Sequence, residues 1–246
     1  SIRHKVAQAH AIRAFAYLNL APYFQFGYTA GGKDLPCVPI VTEKTTDFTD
    51  NPRASVADVY ELIISDLTFA IDNLGDYART DKSRIDRQTA YGLRARAYMN
   101  MEEWASAASD ASKAAAGYVP AAMNEVARPS FYEISEHNWI WGYDMTSDIA
   151  MKNPYATSSA WIRSFSGDGY SAGTQVYSCI NNLLYDKIPS TDVRKGWWVD
   201  ASLESPLLSA VTWNGVSGNA VAALEIDNVK MKFLPYTNVK FGMAVV

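Results

Sequence analysis

The sequence predicts a mostly α-helical protein in which stacked helix pairs carry a loop-rich subdomain with a few short β-strands. Between Ser55 and Gly117, apolar residues recur every three or four positions through two consecutive helix pairs, the period of amphipathic helices. After Gly117 this periodicity gives way to a stretch rich in Ser, Thr, Gly, Asn and aromatic residues. We therefore expect a helical scaffold, residues 1–117, and a loop-rich subdomain packed on it, residues 118–246, together forming one structural unit.

Composition narrows the classes of function. The 246 residues are 48% hydrophobic, enough for one large domain or two small ones. The net charge of -4 argues against the basic, clustered footprint of a nucleic-acid-binding protein. No apolar run approaches the roughly 20 residues that cross a bilayer as a helix. Cys37 and Cys179 lie far apart in sequence. The sequence allows either a disulfide between them or two free thiols.

A long first helix is predicted over residues 3–26. Pro22 sits near its end, where it kinks or stops the helix, and Gly27 opens a loop. Residues 35–41 are expected to be extended because two prolines disfavour helix in the residues before them. The periodicity places these side chains on one buried face of the helix: Val6, His10, Ala14, Tyr17, Ala21 and Phe24.

The second helix is predicted to begin after Ser55, which forms a capping box with Asp58 in place of the usual Glu or Gln. Gly75 is expected to stop this helix in the left-handed conformation. The buried stripe is predicted to consist of Val59, Ile63, Leu67, Ala70 and Leu74.

The third and fourth helices form a helix–turn–helix built on small residues, and the predicted pairs are therefore tetratricopeptide-like. Asp86 is the expected N-cap of the third helix. The fourth runs over residues 103–116 and ends at Gly117. Trp104 is expected to fill the mouth of the pair, so that its replacement by Ala would cost about 3 to 5 kcal/mol. The predicted inner positions are Ala90, Leu93, Ala97, Tyr98 and Met101 on the third helix, and Trp104, Ala107, Ala108, Ala111 and Ala115 on the fourth.

Short strands and one helix are predicted in the second half of the chain. The strand segments are residues 131–134, 139–143 and 228–234. Helical periodicity returns over residues 175–187 and ends before Pro189. Four tryptophans of this half are expected to be structural: Trp139, Trp141, Trp197 and Trp198.

Several segments, in this order, resemble the SusD/RagB family of outer-membrane nutrient-binding lipoproteins of Bacteroidota. Each segment alone is only weakly specific for the family. The order and spacing of all the segments together are specific. The final match is a three-residue motif, Asp192-Val193-Arg194, which corresponds to the "D-x-R" motif of the family and is called the "D-x-R" step below. The matching segments are residues 11–20, 35–40, 55–74, the signature repeat at 87–116, the strand at 132–141, and 184–194.

The resemblance implies a binding protein that is not an enzyme. Members of the family capture an oligosaccharide, or in some branches a peptide, and pass it to a SusC-like TonB-dependent transporter. The implied location is the cell outer membrane, as an outward-facing lipoprotein. The family's lipid-bearing cysteine and C-terminal helices find no match here. We therefore expect a central segment lacking both termini, with membrane attachment only through a lipid anchor absent from this segment.

The resemblance also implies that the ligand-binding aromatic residues lie between the predicted strand at 139–143 and the helix before the "D-x-R" step. Sugar rings pack their apolar faces on flat aromatic surfaces, and their hydroxyls need polar partners. The expected ring contacts are Tyr155, Trp161, Tyr170 and Tyr177. The expected hydroxyl partners are Arg163, Asp168 and Gln175.

No motif for catalysis or for a cofactor stands out. The three histidines have no metal-ligand spacing, and neither a G-x-S-x-G elbow nor a phosphate-binding loop is present. We expect no catalytic residue, cofactor or metal. Two other classes of function stay open: a tetratricopeptide-type protein-interaction scaffold, and an accessory domain of a glycoside hydrolase with weak catalysis through a pair of carboxylates.

Overall fold

The computed structural model describes residues 1–46, 50–126, 134–135, 137–142, 180–198, 212–213 and 216–217. The chain divides into two compact units, Ser1–Tyr118 and Val119–Val246. The two units are described one after the other.

The described residues of the first unit form a short π-helix, Tyr28–Gly32, and four α-helices that pack in chain order. The α-helices are α1 (Ile2–Phe24), α2 (Val56–Asn73), α3 (Arg87–Asn100) and α4 (Trp104–Ala115). Helix α1 packs on α2, α2 on α3, and α3 on α4. This arrangement confirms the predicted mostly α-helical fold of successive helix pairs.

The buried face of α1 differs from the predicted one. Val6 and Phe24, predicted to be inside, are 41% and 54% exposed. Small side chains at the contact allow the backbones of α1 and α2 to approach closely, and they shift the buried face toward the alanines. The buried residues of α1 are Ala7, Ala11, Ala14, Tyr17, Leu18 and Ala21.

An extended connection ties α1 to α2, as predicted for residues 35–41. The Cys37 amide donates to the Ala54 carbonyl at 2.7 Å, and the Ala54 amide donates to Val38 at 3.0 Å. The Tyr17 hydroxyl donates to the Pro39 carbonyl, so α1 holds this segment in place. Cys37 is a buried free thiol.

Helix α2 follows the prediction closely at its start and along its buried stripe. The Ser55 hydroxyl accepts from the Asp58 amide, and the Asp58 carboxylate accepts from the Ser55 amide, which completes the capping box. All five predicted stripe residues are buried. The predicted left-handed stop at Gly75 is wrong, because Leu74 is the C-cap and Gly75 does not have a positive φ.

A tight turn joins α3 to α4. Asp86 caps α3 as predicted, accepting from the Thr89 amide at 2.8 Å. Glu102 takes a left-handed conformation, φ 59°, in the turn before α4. A β-carbon added at Gly92 would lie 3.7 Å from the β-carbon of Ala114, which shows how closely the two helices approach.

The predicted inner face of α4 is wrong except at Ala107. Trp104 is 61% exposed, and Ala108, Ala111 and Ala115 are also exposed. The buried positions are Ala107, Asp110 and Ala114. The carboxylate of Asp110 accepts two hydrogen bonds from Arg94 of α3, and this pair turns α4 so that Trp104 lies outside.

We expect Trp104→Ala to lower the free energy of unfolding by less than about 1 kcal/mol, because the indole is mostly in water in the folded state. The measurement is chemical denaturation followed by far-ultraviolet circular dichroism. Ile63→Ala is the positive control, since Ile63 is fully buried and its truncation should cost about 3 kcal/mol. A loss at Trp104 as large as that at Ile63 would contradict the exposed position of the indole.

The second unit contributes short elements to the part of the chain that the structure describes. They are α5 (Met123–Val126), α6 (Asn182–Lys187), a 3₁₀ helix (Val193–Trp197), and the strands β1 (Thr212–Trp213) and β2 (Val216–Ser217). The strands pair antiparallel, Trp213 opposite Val216. This hairpin was not predicted, although the Asn-Gly dipeptide between its strands is a strong hairpin signal.

The prediction of a strand at residues 139–143 is wrong for residues 139–142, which the structure describes and which form no strand. The residues just before this segment are held by side-chain hydrogen bonds and not by the backbone hydrogen bonds of a β-sheet. The Asn138 side chain accepts from the Ala121 amide at 2.9 Å, and His137 contacts the Glu125 carboxylate at 2.9 Å. Trp139 is buried, in agreement with its expected structural role. The strand predicted at residues 228–234 lies outside the described residues.

Candidate functional site

The predicted ligand contacts lie outside the residues that the structure describes. This holds for the four aromatic residues and for the three polar partners, and they therefore stay predictions. The residues are Tyr155, Trp161, Arg163, Asp168, Tyr170, Gln175 and Tyr177.

An open cavity of about 440 Å³ lies in the second unit, next to the predicted contacts in sequence. We call it the 180–198 cavity. Of the lining side chains that belong to the described part of the chain, five are apolar and three are charged. They are Ile180, Leu184, Lys187, Ile188, Pro189, Asp192, Arg194 and Trp198.

Two short helices and the turn between them shape this cavity. The Asn181 side chain caps α6 by accepting from the Leu183 amide at 2.8 Å. Pro189 follows α6 and cannot extend it, because proline lacks the amide hydrogen that a helix needs. Asp192 then caps the 3₁₀ helix, accepting from the Arg194 amide at 2.9 Å. Trp198 follows directly as the C-cap residue of that helix.

An ion pair fixes one side of the cavity rim. The Arg194 guanidinium donates to both carboxylate oxygens of Asp192, at 2.9 Å from Nε and 2.6 Å from Nη2. These hydrogen bonds lower the pKa of Asp192 to about 2. The carboxylate is therefore ionised at neutral pH. The pair is exposed to water, so we assign it a positioning role and no large contribution to stability.

A second interaction fixes the turn beneath the rim. Lys195 donates from its ammonium group to the Ile188 carbonyl at 3.0 Å. The same ammonium lies 4.9 Å from the centre of the Tyr185 ring, within the range of cation–π attraction. Lys195 therefore joins the 3₁₀ helix to the end of α6.

The chemistry of the lining suits a ligand with one apolar face and a polar edge. Trp198 offers a flat ring, and Ile180, Leu184 and Ile188 complete an apolar wall. Lys187, Asp192 and Arg194 supply donors and acceptors at the rim. Binding pockets generally combine a mostly apolar wall with a few polar groups in this way.

The cavity residues were not predicted as a site from the sequence, which predicted a structural role for Trp198. The signal was present in the "D-x-R" step, where Asp192 and Arg194 are two positions apart and followed by tryptophans. Sequence could not show that the turn at 188–193 brings these residues back toward Leu184 of α6.

The charged clusters of the first unit hold helices together. Asp66 of α2 bonds His10 and Arg13 of α1, and Asp110 of α4 bonds Arg94 of α3. The hydrogen bonds to Asp66 and Glu43 raise the pKa of Arg13 above its ordinary value. Within the described ranges, no group of three His, Cys, Asp or Glu side chains could hold a metal ion.

No helix among the described residues is both long and apolar enough to pass through a membrane.

Comparison with known proteins supports the family resemblance. A family model, SusD-like_3, described as "Starch-binding associating with outer membrane", matches residues 1–99. No curated protein matches the chain.

Two solved structures share the fold. One is a SusD-like carbohydrate binding protein from Bacteroides vulgatus, 24% identical, with a TM-score of 0.64 over 81% of this chain and 41% of its own. The other is a SusD superfamily protein from Bacteroides thetaiotaomicron, 20% identical, with a TM-score of 0.64 over 83% of this chain and 44% of its own. The chain thus spans less than half the length of either structure. Residues 1–99 are therefore similar in sequence to the SusD-like family, and the larger part of the chain shares the fold of the two solved structures.

Proposed function

We propose that this protein binds an oligosaccharide on the second unit, with the 180–198 cavity as part of the binding site. The observation that carries the proposal is the lining of that cavity, where the Trp198 ring faces the same space as Lys187, Asp192 and Arg194. A pyranose ring presents an apolar C–H face and a belt of hydroxyls, which matches such a lining.

The aromatic residues predicted from the sequence extend this site. Tyr177 is three residues before Ile180, so their Cα atoms lie at most about 11 Å apart whatever the conformation of the chain. A sugar ring at the cavity and its neighbour along the glycan chain would be within reach of Tyr177. We propose Tyr155, Trp161 and Tyr170 as further ring contacts, and Arg163, Asp168 and Gln175 as hydroxyl partners.

The description of the matching family model also supports a location, and the family resemblance implies a partner. We propose that the protein acts at the outer face of the outer membrane as a lipoprotein, and that it delivers its glycan to a SusC-like TonB-dependent transporter. The supporting description is "Starch-binding associating with outer membrane" for the model that matches residues 1–99. Co-purification of the full-length protein with such a transporter from detergent-solubilised outer membranes tests this part.

We propose further that binding is not accompanied by catalysis. The acidic cavity residue Asp192 is held in an ion pair with Arg194, and it is the one carboxylate among the lining residues that the structure describes. Glycoside hydrolysis generally needs two carboxylates across the scissile bond. Sustained release of reducing ends from a glycan, abolished by a single Asp or Glu substitution, would contradict this part of the proposal.

We expect Tyr155→Ala, Trp161→Ala and Tyr177→Ala each to weaken glycan binding by about 1 to 3 kcal/mol, roughly 5- to 150-fold, because aromatic platforms often dominate binding energy. The measurement is calorimetric titration of the full-length protein with its glycan. Thermal melts of the same variants should change little, since exposed rings add little to stability.

Tyr23→Ala serves as the matched control, because Tyr23 is 86% exposed and belongs to the first unit. Normal binding by all three variants would place the site elsewhere. Unfolding of all three would show that these rings belong to the core.

A second candidate function has one observation in its favour. The first unit exposes large apolar side chains, among them Tyr23 at 86%, Phe26 at 71% and Trp104 at 61%. Aromatic residues are enriched in protein–protein interfaces. A tetratricopeptide-type scaffold would use such residues, and a peptide ligand in place of a glycan is the related alternative.

A further inference from the structure

Among the described residues that line the 180–198 cavity, positive charges outnumber negative ones. They are two cations, Lys187 and Arg194, and one anion, Asp192. Arg194 and Asp192 form a two-pronged ion pair and neutralise each other. Lys187 has no hydrogen bond or ion pair with any residue in the described part of the chain.

No charged group among the described neighbouring residues neutralises the charge of the Lys187 ammonium at the cavity. Asp186 precedes it in the chain, but it is exposed and does not line the cavity. Lys195 is occupied with the Ile188 carbonyl and the Tyr185 ring. Lys187 is therefore the cation of this segment that is available to a ligand.

The apolar wall strengthens the attraction between Lys187 and an anion. Ile180, Leu184, Ile188 and Trp198 present low-polarity surface that a bound ligand would separate from water. Charges interact more strongly beside such surface than in bulk water, and clefts with one excess sign concentrate ligands of the other sign. A neutral glycan could accept hydrogen bonds from the ammonium group but would not gain this attraction between opposite charges.

We propose that the oligosaccharide taken up by this protein is anionic, with a carboxylate or sulfate group of the bound sugar contacting Lys187 while its ring packs on Trp198. This inference rests on the proposed glycan-binding function and names the class of glycan. The Lys187 ammonium is a point charge without a planar geometry of its own, so carboxylate and sulfate share the chemistry that it recognises.

The test uses glycans in matched pairs that differ only in charge. An array displays tetragalacturonate with its fully methyl-esterified form, a sulfated galactan tetrasaccharide with its neutral desulfated form, and neutral maltotetraose, all in the presence of EDTA. The full-length protein should bind the charged member of at least one pair more tightly than its neutral partner. Preference within the first or the second pair separates a carboxylate from a sulfate ligand.

Variants then locate the charge that is responsible. Lys187→Gln should weaken binding of the charged glycan by about fivefold, the upper range for one exposed ion pair, and should weaken binding of the neutral partner by a smaller factor, because Gln keeps a hydrogen-bond donor at this position. Lys187→Arg should retain the preference. Lys5→Gln is the control for net charge, because Lys5 is an exposed lysine of the first unit. Rising salt should weaken binding of the charged glycan in the wild type more than in Lys187→Gln.

The outcomes separate this inference from the function on which it rests. Equal binding of charged and neutral partners, or a charge preference that survives Lys187→Gln, would overturn the inference and leave glycan binding intact. Binding to no glycan of the array would overturn both the inference and the proposed function.

Discussion

Asp66→Asn should lower the free energy of unfolding of the first unit by about 3 kcal/mol, the largest effect on stability that we expect from a change of one charged group. Asp66 is only 3% exposed and accepts from Arg13 at 2.7 Å through each carboxylate oxygen. His10 lies 2.6 Å from the same carboxylate. Neutralising Asp66 leaves Arg13 and His10, both of α1, without the charge that holds them against α2.

The expected cost lies at the low end of the range for buried ion pairs. Arg13 is 21% exposed and keeps a second partner in Glu43, at 2.8 Å. Water and Glu43 would therefore compensate part of the lost attraction. The measurement is chemical denaturation at neutral pH, followed by circular dichroism of the helices.

Asp72→Asn is the matched control, because Asp72 is an exposed aspartate on the same helix. It should change the free energy of unfolding by less than about 0.5 kcal/mol. Equal losses for the two variants would show that the Asp66 cluster does not hold α1 against α2.

Trp198→Ala should weaken glycan binding by about 2 kcal/mol, roughly 30-fold, which is the loss expected at a hot spot. Trp198 lines the 180–198 cavity and is half-buried, so part of its side chain is accessible to a ligand. Removing the indole takes away the flat surface on which a sugar ring would pack. Calorimetric titration of the full-length protein gives the affinity.

Two further variants make this result specific. Trp198→Phe keeps an aromatic face and should recover most of the affinity. Trp104→Ala removes an exposed tryptophan from the first unit and should leave binding unchanged. Unaltered affinity in Trp198→Ala, with the protein folded, would remove the cavity from the binding site.

The helices of the first unit were predictable because their determinants are local. The α2 capping box depends on Ser55 and Asp58, three residues apart, and the α2 stripe has the period of a helix. The Asp86 cap of α3 is equally local. Such signals lie within a few consecutive residues. The predicted start and buried stripe of α2 therefore agree with the structure.

The faces of α1 and α4 were mispredicted because they depend on distant partners. Arg13 meets Asp66 across 53 positions of sequence, and Arg94 meets Asp110 across 16. Asp110 places a carboxylate on the buried face of α4, where periodicity favours an apolar residue, and on α1 the small alanines at the contact with α2 form the buried face. The large Trp104 side chain therefore lies outside, while the small Ala107 and Ala114 fill the contact.

The candidate site was predictable only in its position along the chain. The family resemblance pointed to the region before the "D-x-R" step, and the 180–198 cavity includes that step. Its lining depends on how the turn at 188–193 brings Trp198 toward Leu184, which residue spacing does not encode. The unpaired Lys187 could not be recognised before Asp192 was seen to be paired with Arg194.

The most direct test of the account is a crystal structure of the full-length protein with the oligosaccharide that it binds most tightly. We expect one sugar ring in the 180–198 cavity, stacked on Trp198, with its polar groups within hydrogen-bond distance of Lys187 or Arg194. Density for the glycan on the first unit alone, with the cavity empty, would contradict the account.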